Sequence, residues 1–296
     1  MNRILGNCPW FLCFFTALVG CNKSEPGISL GALQQQNGGL SLVHAAELAN
    51  KMIPKSLAST ADKRSHLEAG AGALQLAREG LRGNRSFDEV FVSQPLADRF
   101  GQFRALFNLF RIEMELAQEG GEMEKALSGC LEYTQLSADL AHGGNVASQL
   151  TSTAFLSRGA IDVHAMRESL TKSQCLRAIE ALEGVLAMIE PVRVVVERET
   201  GTFDYSDGSV ERSLILSQER NIKECRARLE LCKADLAIRA YRLTQGRLPT
   251  ALDDLVGSEL QSIPIDPWTG DSVVYRPKGE VEYVIHAVGP SGEFKL

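Results

Sequence analysis

A serine and a lysine three positions apart are the only spaced pair in this sequence that matches a catalytic pattern. Ser169 and Lys172 have the Ser-x-x-Lys spacing in which a lysine one helical turn away activates a serine nucleophile. The Lys-Thr-Gly strand that completes such a site is absent, and the tetrapeptide spacing is common by chance. We therefore assign the pair no catalytic role and expect a protein that is not an enzyme.

The histidines are scattered rather than grouped. None belongs to a His-Glu-x-x-His pair, and none lies near two cysteines, the spacings typical of zinc sites. We therefore predict no metal site and no cofactor, and we expect each histidine to lie at the surface or to bond a backbone group. The five are His44, His66, His142, His164 and His286.

The cysteines divide into a leader group and a group in the remaining chain. Cys225 and Cys232 stand seven apart on one predicted helix, about 10 Å along its axis, which is beyond disulfide reach. Any disulfide must therefore join different helices. Two alternatives stay open for the second group: buried thiols in the core, or disulfides formed in an oxidising compartment. The leader group is Cys8, Cys13 and Cys21, and the second group is Cys130, Cys175, Cys225 and Cys232.

The first twenty residues have the layout of an export signal. Arg3 is their only charge, and an apolar run follows it. A membrane-spanning helix needs about 20 consecutive apolar residues, and Asn7 and Pro9 interrupt this run. We predict a signal peptide over residues 1–20.

The end of this leader resembles the lipobox of bacterial lipoproteins, on Leu18, Val19, Gly20 and Cys21. The resemblance implies that the Cys21 thiol takes a diacylglyceryl group and that cleavage after Gly20 makes it the first residue. It also implies a lipid-anchored protein of the cell envelope, and Asn22 favours the outer membrane or periplasmic face. The alternative is that Cys21 ends an ordinary secretory leader or a non-cleaved anchor.

The number and distribution of charged residues restrict the classes of molecule that this protein can bind. The formal net charge is −6, and basic residues alternate with acidic ones, as in residues 220–233, instead of forming a basic footprint. We therefore exclude nucleic acid and expect protein partners, with the membrane contacted through the lipid on Cys21. No sequence feature indicates a small-molecule ligand.

The periodicity of apolar residues predicts a mainly α fold, either an antiparallel helical bundle or a stack of helical hairpins. Residues 21–43 lack this periodicity and are predicted to be a flexible tether, and residues 44–209 a helical domain. Within it, residues 191–209 break the pattern and are predicted to be an exposed loop and hinge. A stripe of core residues is predicted at Phe100, Phe103, Phe107, Phe110, Met114 and Ala117.

The last region, residues 210–296, begins with a helix predicted over residues 210–244. An apolar seam runs along it, and a small β-hairpin follows, with strands at residues 273–276 and 281–287. A short helix to Val256, capped by Thr250 and Asp253, precedes this hairpin. The seam residues are Ile222, Cys225, Leu229, Cys232, Leu236, Ala240 and Leu243.

Residues 234–292 resemble the C-terminal half of major pseudopilins of type II secretion. The likeness rests on Ala237, Arg239, Tyr241, Arg242, Gly246, Pro249, Thr250, Leu255, Pro264, Asp266, Pro267, Trp268, Tyr275, Tyr283, Gly289, Pro290 and Gly292. Many pseudopilins bind calcium after this last turn, but here Asp266, Asp271 and Glu293 offer few oxygens for a six- to eight-coordinate ion. We therefore do not expect calcium binding. A pseudopilin begins with a prepilin-peptidase site and a continuous hydrophobic helix, whereas here a lipobox and a helical region precede the segment, so we do not expect polymerisation either.

These features favour an envelope lipoprotein that acts as a scaffold or protein-interaction partner. The alternative suggested by residues 234–292 is an accessory component of a type II secretion or pilus-like system. An envelope hydrolase with an unrecognised site is a third possibility.

Overall fold

The computed structural model describes residues 38–52, 59–83, 96–200, 208–290 and 292–296. Across these ranges eight α-helices precede a small antiparallel sheet, which confirms the mainly α fold with a C-terminal hairpin. The helices are α1 Gly38–Asn50, α2 Thr60–Arg82, α3 Leu96–Glu119, α4 Met123–Ala141, α5 Val146–Met166, α6 Lys172–Met188, α7 Val192–Thr200 and α8 Gly208–Gln245. Two 3-10 helices span Arg167–Ser169 and Leu252–Leu255, and the strands are β1 Val274–Lys278, β2 Glu282–Gly289 and β3 Gly292–Phe294.

Polar side chains fix where several helices begin. At α2, the Ser59 hydroxyl accepts from the Asp62 backbone N–H while the Asp62 carboxylate accepts from that of Ser59, a capping box. Thr171 and Gln174 form the same arrangement at α6. The Asn145 side chain accepts from the Ser148 N–H at 2.9 Å at the start of α5.

The turn between α3 and α4 contains Gly120 and Gly121. Gly121 has a φ of 75°, in the left-handed region that glycine adopts without steric cost. Short turns of this kind place consecutive helices side by side, and α3 packs on α4 as α4 packs on α5. The described members of the phenylalanine stripe are all buried, as predicted, whereas the Phe100 side chain lies outside the described part.

The long helix α8 completes the core. It packs against α5, α6 and α7, and its C-terminal half contacts β2. Six of the seven predicted seam residues are buried on it. Leu243 is the exception at 44% exposed, because it lies in the last turn before α8 ends at Gln245.

Two predicted boundaries are corrected by the structure. Helix α1 begins at Gly38, inside the segment predicted as tether, because Leu42, Ala45, Ala46 and Ala49 recur at helical spacing and bury one face. The remainder of the predicted tether lies outside the described residues.

The segment predicted as an exposed loop and hinge instead contains helix α7. Val192, Val195 and Val196 lie on one side of it and are buried, at the i, i+3, i+4 spacing of a helix. Pro191 stands directly before the helix, where a proline costs no hydrogen bond. Residues 201–207 lie outside the described part of the chain.

The C-terminal sheet has the strand order β1-β2-β3. Val274 pairs with His286 and Lys278 with Glu282 in the predicted hairpin, and β3 adds a third, short strand. Before the sheet, the capping carboxylate is that of Asp254 and not the predicted Asp253. It accepts from the backbone N–H and hydroxyl of Thr250, because a 3-10 helix starting at Leu252 brings Asp254 back over that residue.

Candidate functional site

A group of polar side chains surrounds Asp235, in the buried part of α8. Asp235 is 2% exposed. Its Oδ2 lies 2.7 Å from His164 Nδ1 and 2.9 Å from Arg167 Nε, and its Oδ1 accepts a hydrogen bond from the Tyr283 hydroxyl. We call these four residues, His164, Arg167, Asp235 and Tyr283, the Asp235 cluster.

The Asp235 cluster joins elements that are distant in sequence. His164 lies in the last turn of α5, and Arg167 begins the 3-10 helix that follows it. Asp235 lies on α8 and Tyr283 on β2. One carboxylate therefore ties the helical body to the C-terminal segment.

Charge compensation explains why a carboxylate is tolerated at this depth. An unpaired buried carboxylate would cost several kcal/mol, and the guanidinium of Arg167 supplies the opposite charge. Burial, followed by the nearby Asp235 carboxylate, raises the pKa of Tyr283 well above its usual range. Tyr283 therefore stays protonated and donates a hydrogen bond to Asp235.

The histidine of the cluster lies against the guanidinium of Arg167. Arg167 Nη1 is 3.0 Å from His164 Nε2 and 3.5 Å from Nδ1, so it lies beside both ring nitrogens. An aspartate–histidine pair supports general-base catalysis only when Nε2 is free to take a proton from a nucleophile. Here the Arg167 guanidinium lies beside Nε2, and the contacts of the cluster join α5, the following 3-10 helix and α8.

The Ser-x-x-Lys pair does not form a catalytic unit. Ser169 ends the 3-10 helix, and Lys172 begins α6, so the two are not on one helical turn. Lys172 Nζ instead lies 3.4 Å from the carboxylate of Glu259, which is 6% exposed. Lys172 thereby links α6 to the C-terminal segment.

Two of the three candidate calcium ligands, Asp266 and Glu293, are used within the fold. The buried Asp266 carboxylate accepts from the backbone N–H groups of Trp268, at 2.8 Å, and Val288, at 2.5 Å. Glu293 pairs with Lys295 at 2.7 Å, and this contact lowers the pKa of Glu293. Among the described residues no group of three or more His, Cys, Asp or Glu side chains is arranged to hold a metal ion.

The cysteines in the described body are free thiols, so of the two alternatives left open the structure has the buried-core one. Cys130, Cys175, Cys225 and Cys232 are all fully buried. Burial raises the pKa of Cys175 to about 11 and that of Cys225 to about 12. These thiols therefore remain protonated and unreactive at neutral pH.

A surface depression of about 680 Å³ lies between α2, α3 and α4. Its central charge, Arg78, is 2.5 Å from the Glu113 carboxylate and 2.8 Å from that of Glu132. One guanidinium therefore faces two carboxylates here, and the depression is wide open to solvent. It is not shaped to enclose a small molecule.

Cys21 and the other lipobox residues lie outside the described part of the chain. None of the described helices combines the length and apolar character needed to cross a bilayer. Comparison with family models, curated proteins and solved structures found no match.

Sequence reasoning missed the Asp235 cluster, although one signal pointed to it. Asp235 directly precedes the seam residue Leu236, inside a run of α8 that is otherwise suited to burial. A carboxylate in such a run needs a partner. The sequence does not identify His164 and Arg167 as those partners, because the approach of α5 to α8 is a tertiary contact.

Proposed function

We propose that this protein is a lipid-anchored scaffold of the bacterial cell envelope, held at a membrane through Cys21 and binding other proteins with its folded body. The observation that carries the scaffold role is the Asp235 cluster, which joins the pseudopilin-like segment to the helical body. Interaction surfaces on the two parts thereby keep a fixed relative orientation. The anchor rests on the lipobox residues.

The length of chain between Cys21 and the first described helix, and the net charge of the protein, are consistent with a folded body held near a membrane. The chain between Cys21 and Gly38 can span at most about 60 Å when fully extended. Loss of residues 1–20 removes Arg3 and changes the net charge from −6 to −7. An acidic body is repelled by anionic lipid, so attachment depends on the acyl chains.

Metabolic labelling with a palmitate analogue tests the anchor. We expect label on the wild type and on Cys13→Ser, a matched control within the leader, and no label on Cys21→Ser. Cys21→Ser should also leave the membrane fraction. Equal labelling and equal membrane retention of Cys21→Ser and wild type would contradict the proposal.

A second candidate function is an accessory role in a type II secretion or pilus-like system. The observation that favours it is the packing of the C-terminal residues on one another. The end of α8 contacts β2, and the Tyr275 hydroxyl of β1 donates a hydrogen bond to the Pro249 carbonyl at 2.9 Å. Residues of the pseudopilin-like pattern therefore pack together. This likeness of sequence and packing covers only the C-terminal segment.

Photo-crosslinking in cells distinguishes this candidate. A photoreactive residue at Val281, which is 66% exposed beside the hairpin, should capture secretion components if that segment contacts the machine. Leu216, 57% exposed on α8, is the matched position away from the sheet. Equal recovery from both positions, or no enrichment over an unrelated lipoprotein, would count against the accessory role.

A further inference from the structure

Three arginine guanidinium groups converge on the carboxylate of Glu168. Arg242 Nη2 lies 2.7 Å and Arg239 Nη1 3.2 Å from Glu168 Oε2. Arg167 Nε lies 3.4 Å from Oε1 of the same carboxylate. The group lies beside the Asp235 cluster and shares Arg167 with it.

Two elements position these side chains. Arg239 and Arg242 are three residues apart on α8, so they lie on the same face of that helix. Glu168 is the middle residue of the 3-10 helix Arg167–Ser169, and its carbonyl accepts a further bond from Arg239 Nη2 at 2.8 Å. The backbone contact holds Arg239 in place independently of the Glu168 side chain.

Cationic donors outnumber the acceptors that face them. Arg167 is also paired with Asp235, whereas Arg239 and Arg242 share the single carboxylate of Glu168. The Nε of Arg239 is buried and has no hydrogen-bond acceptor among the described residues. The arginine side chains are only 17% and 23% exposed, yet the Glu168 side chain that covers them is 55% exposed.

We propose that Arg239, Arg242 and Arg167 form a binding site for a tetrahedral oxyanion, inorganic phosphate or a phosphomonoester, and that Glu168 occupies this site when the ligand is absent. A guanidinium presents paired N–H donors that match phosphate oxygens, and a dianion satisfies three cations better than one carboxylate does. The Glu168 side chain is 55% exposed, so it can turn into solvent, where water replaces its contacts with the arginines. The proposal is independent of the scaffold role.

Calorimetric titration of the purified full-length protein with inorganic phosphate tests the site, at pH 7.5 and at constant ionic strength set with chloride. Glu168→Gln keeps the side-chain size but removes the competing charge, and should lower the Kd for phosphate at least tenfold relative to wild type. Adding Arg242→Gln to this variant should reverse the gain. Arg220→Gln is the matched control on the same helix, because among the described residues Arg220 pairs with Glu224 of its own helix.

Titration with glycerol phosphate in parallel separates the two sources of ligand: tighter binding than inorganic phosphate indicates a monoester, and weaker binding indicates free phosphate. Circular dichroism and Tm without ligand establish that each variant folds. If the double variant does not fold, Arg242→Lys in the Glu168→Gln background is measured in its place. Lysine keeps the positive charge but lacks the paired N–H donors of the guanidinium, so this variant should bind phosphate severalfold more weakly than Glu168→Gln does. Equal binding by Glu168→Gln and the Arg242 variants, or no heat beyond that of chloride up to 50 mM phosphate, would overturn the proposal.

Discussion

The carboxylate of Asp235 on α8 accepts a hydrogen bond from the hydroxyl of Tyr283 on β2, and this contact joins the last helix to the sheet. The bond is charge-assisted and buried. If the Tyr283 hydroxyl is removed, the Asp235 carboxylate stays buried and cannot form a hydrogen bond with water in its place. The Tyr283 hydroxyl therefore contributes to the packing of the sheet on α8.

Tyr283→Phe should lower the free energy of unfolding by about 1–3 kcal/mol, because Asp235 loses one of its donors while staying buried. Tyr275→Phe is the matched control: its hydroxyl donates to the uncharged carbonyl of Pro249, and its loss should cost about 0.5–1.5 kcal/mol. Urea unfolding of the two variants measures the difference. If Tyr275→Phe lowers the free energy of unfolding as much as Tyr283→Phe does, or more, the hydrogen bond to Asp235 contributes no more to stability than one to an uncharged carbonyl.

Gly159→Ala should destabilise the protein by about 1–3 kcal/mol through overpacking. A Cβ at Gly159 of α5 would lie 2.4 Å from the hydroxyl oxygen of Thr134 on α4. Thr134 would have to give up its hydrogen bond to the Cys130 carbonyl, or the two helices would have to move apart. Gly184→Ala provides the control within another helix, since its Cβ would meet nothing within 4 Å.

For Gly184→Ala we expect unchanged or raised stability, by up to about 1 kcal/mol, because alanine restricts the unfolded chain more than glycine does. Thermal unfolding of both variants gives the comparison. A Gly159→Ala protein as stable as Gly184→Ala would mean that α4 and α5 are not as close as described.

The buried thiols should make the fold sensitive to alkali. Burial raises the pKa of Cys225 to about 12, against 9.0 for an exposed thiol. Between these values the unfolded chain loses the proton that the folded chain keeps, so the free energy of unfolding falls as pH rises. Each such thiol contributes a slope of about −1.4 kcal/mol per pH unit.

Cys225→Ala should therefore flatten the decline between pH 9.5 and pH 11 by about 1.4 kcal/mol per unit. The substitution also removes core contacts, and this cost is the same at every pH, so only the slope is diagnostic. Urea unfolding at a series of pH values measures it. Parallel curves for wild type and variant would show that the Cys225 thiol ionises equally in both states.

Asp266 should act as a structural acceptor and not as a metal ligand. Asp266→Asn keeps the shape but loses the charge that receives the Trp268 and Val288 backbone N–H groups, and should cost about 1–3 kcal/mol. The Tm of the wild type should be the same in calcium and in a chelator. A rise in Tm with calcium that Asp266→Asn abolishes would identify a metal site.

The sequence predicts those parts of the fold that follow from the regular spacing of apolar residues. The buried stripe on α3 and the seam on α8 both recur every three to four residues, so their faces could be identified without tertiary information. Helix α7 was missed because Pro191 and the surrounding charges indicate a loop, although Val192, Val195 and Val196 have helical spacing. The burial of these three valines against the rest of the fold is a tertiary contact that the sequence alone does not show.

The polar sites were much less predictable. Asp235 could be suspected from its place beside Leu236, but His164 and Glu168 carry no sequence pattern that links them to α8. Their contacts arise because α5 and the following 3-10 helix lie across the last helix. For the same reason the Ser169 and Lys172 spacing was uninformative: a helix end separates them.

Helix α8 also determines when during synthesis this chain can become stable. Its seam packs against apolar faces of α5 and α6. Because α8 spans residues 208–245, the ribosome synthesises α5 and α6 well before the helix that buries these faces. At synthesis rates of about 5–20 residues per second, they remain exposed for several seconds or more. An incomplete chain of this kind stays open to chaperones and to transport in an unfolded form, and a nonsense mutation before α8 leaves a product that cannot bury its core.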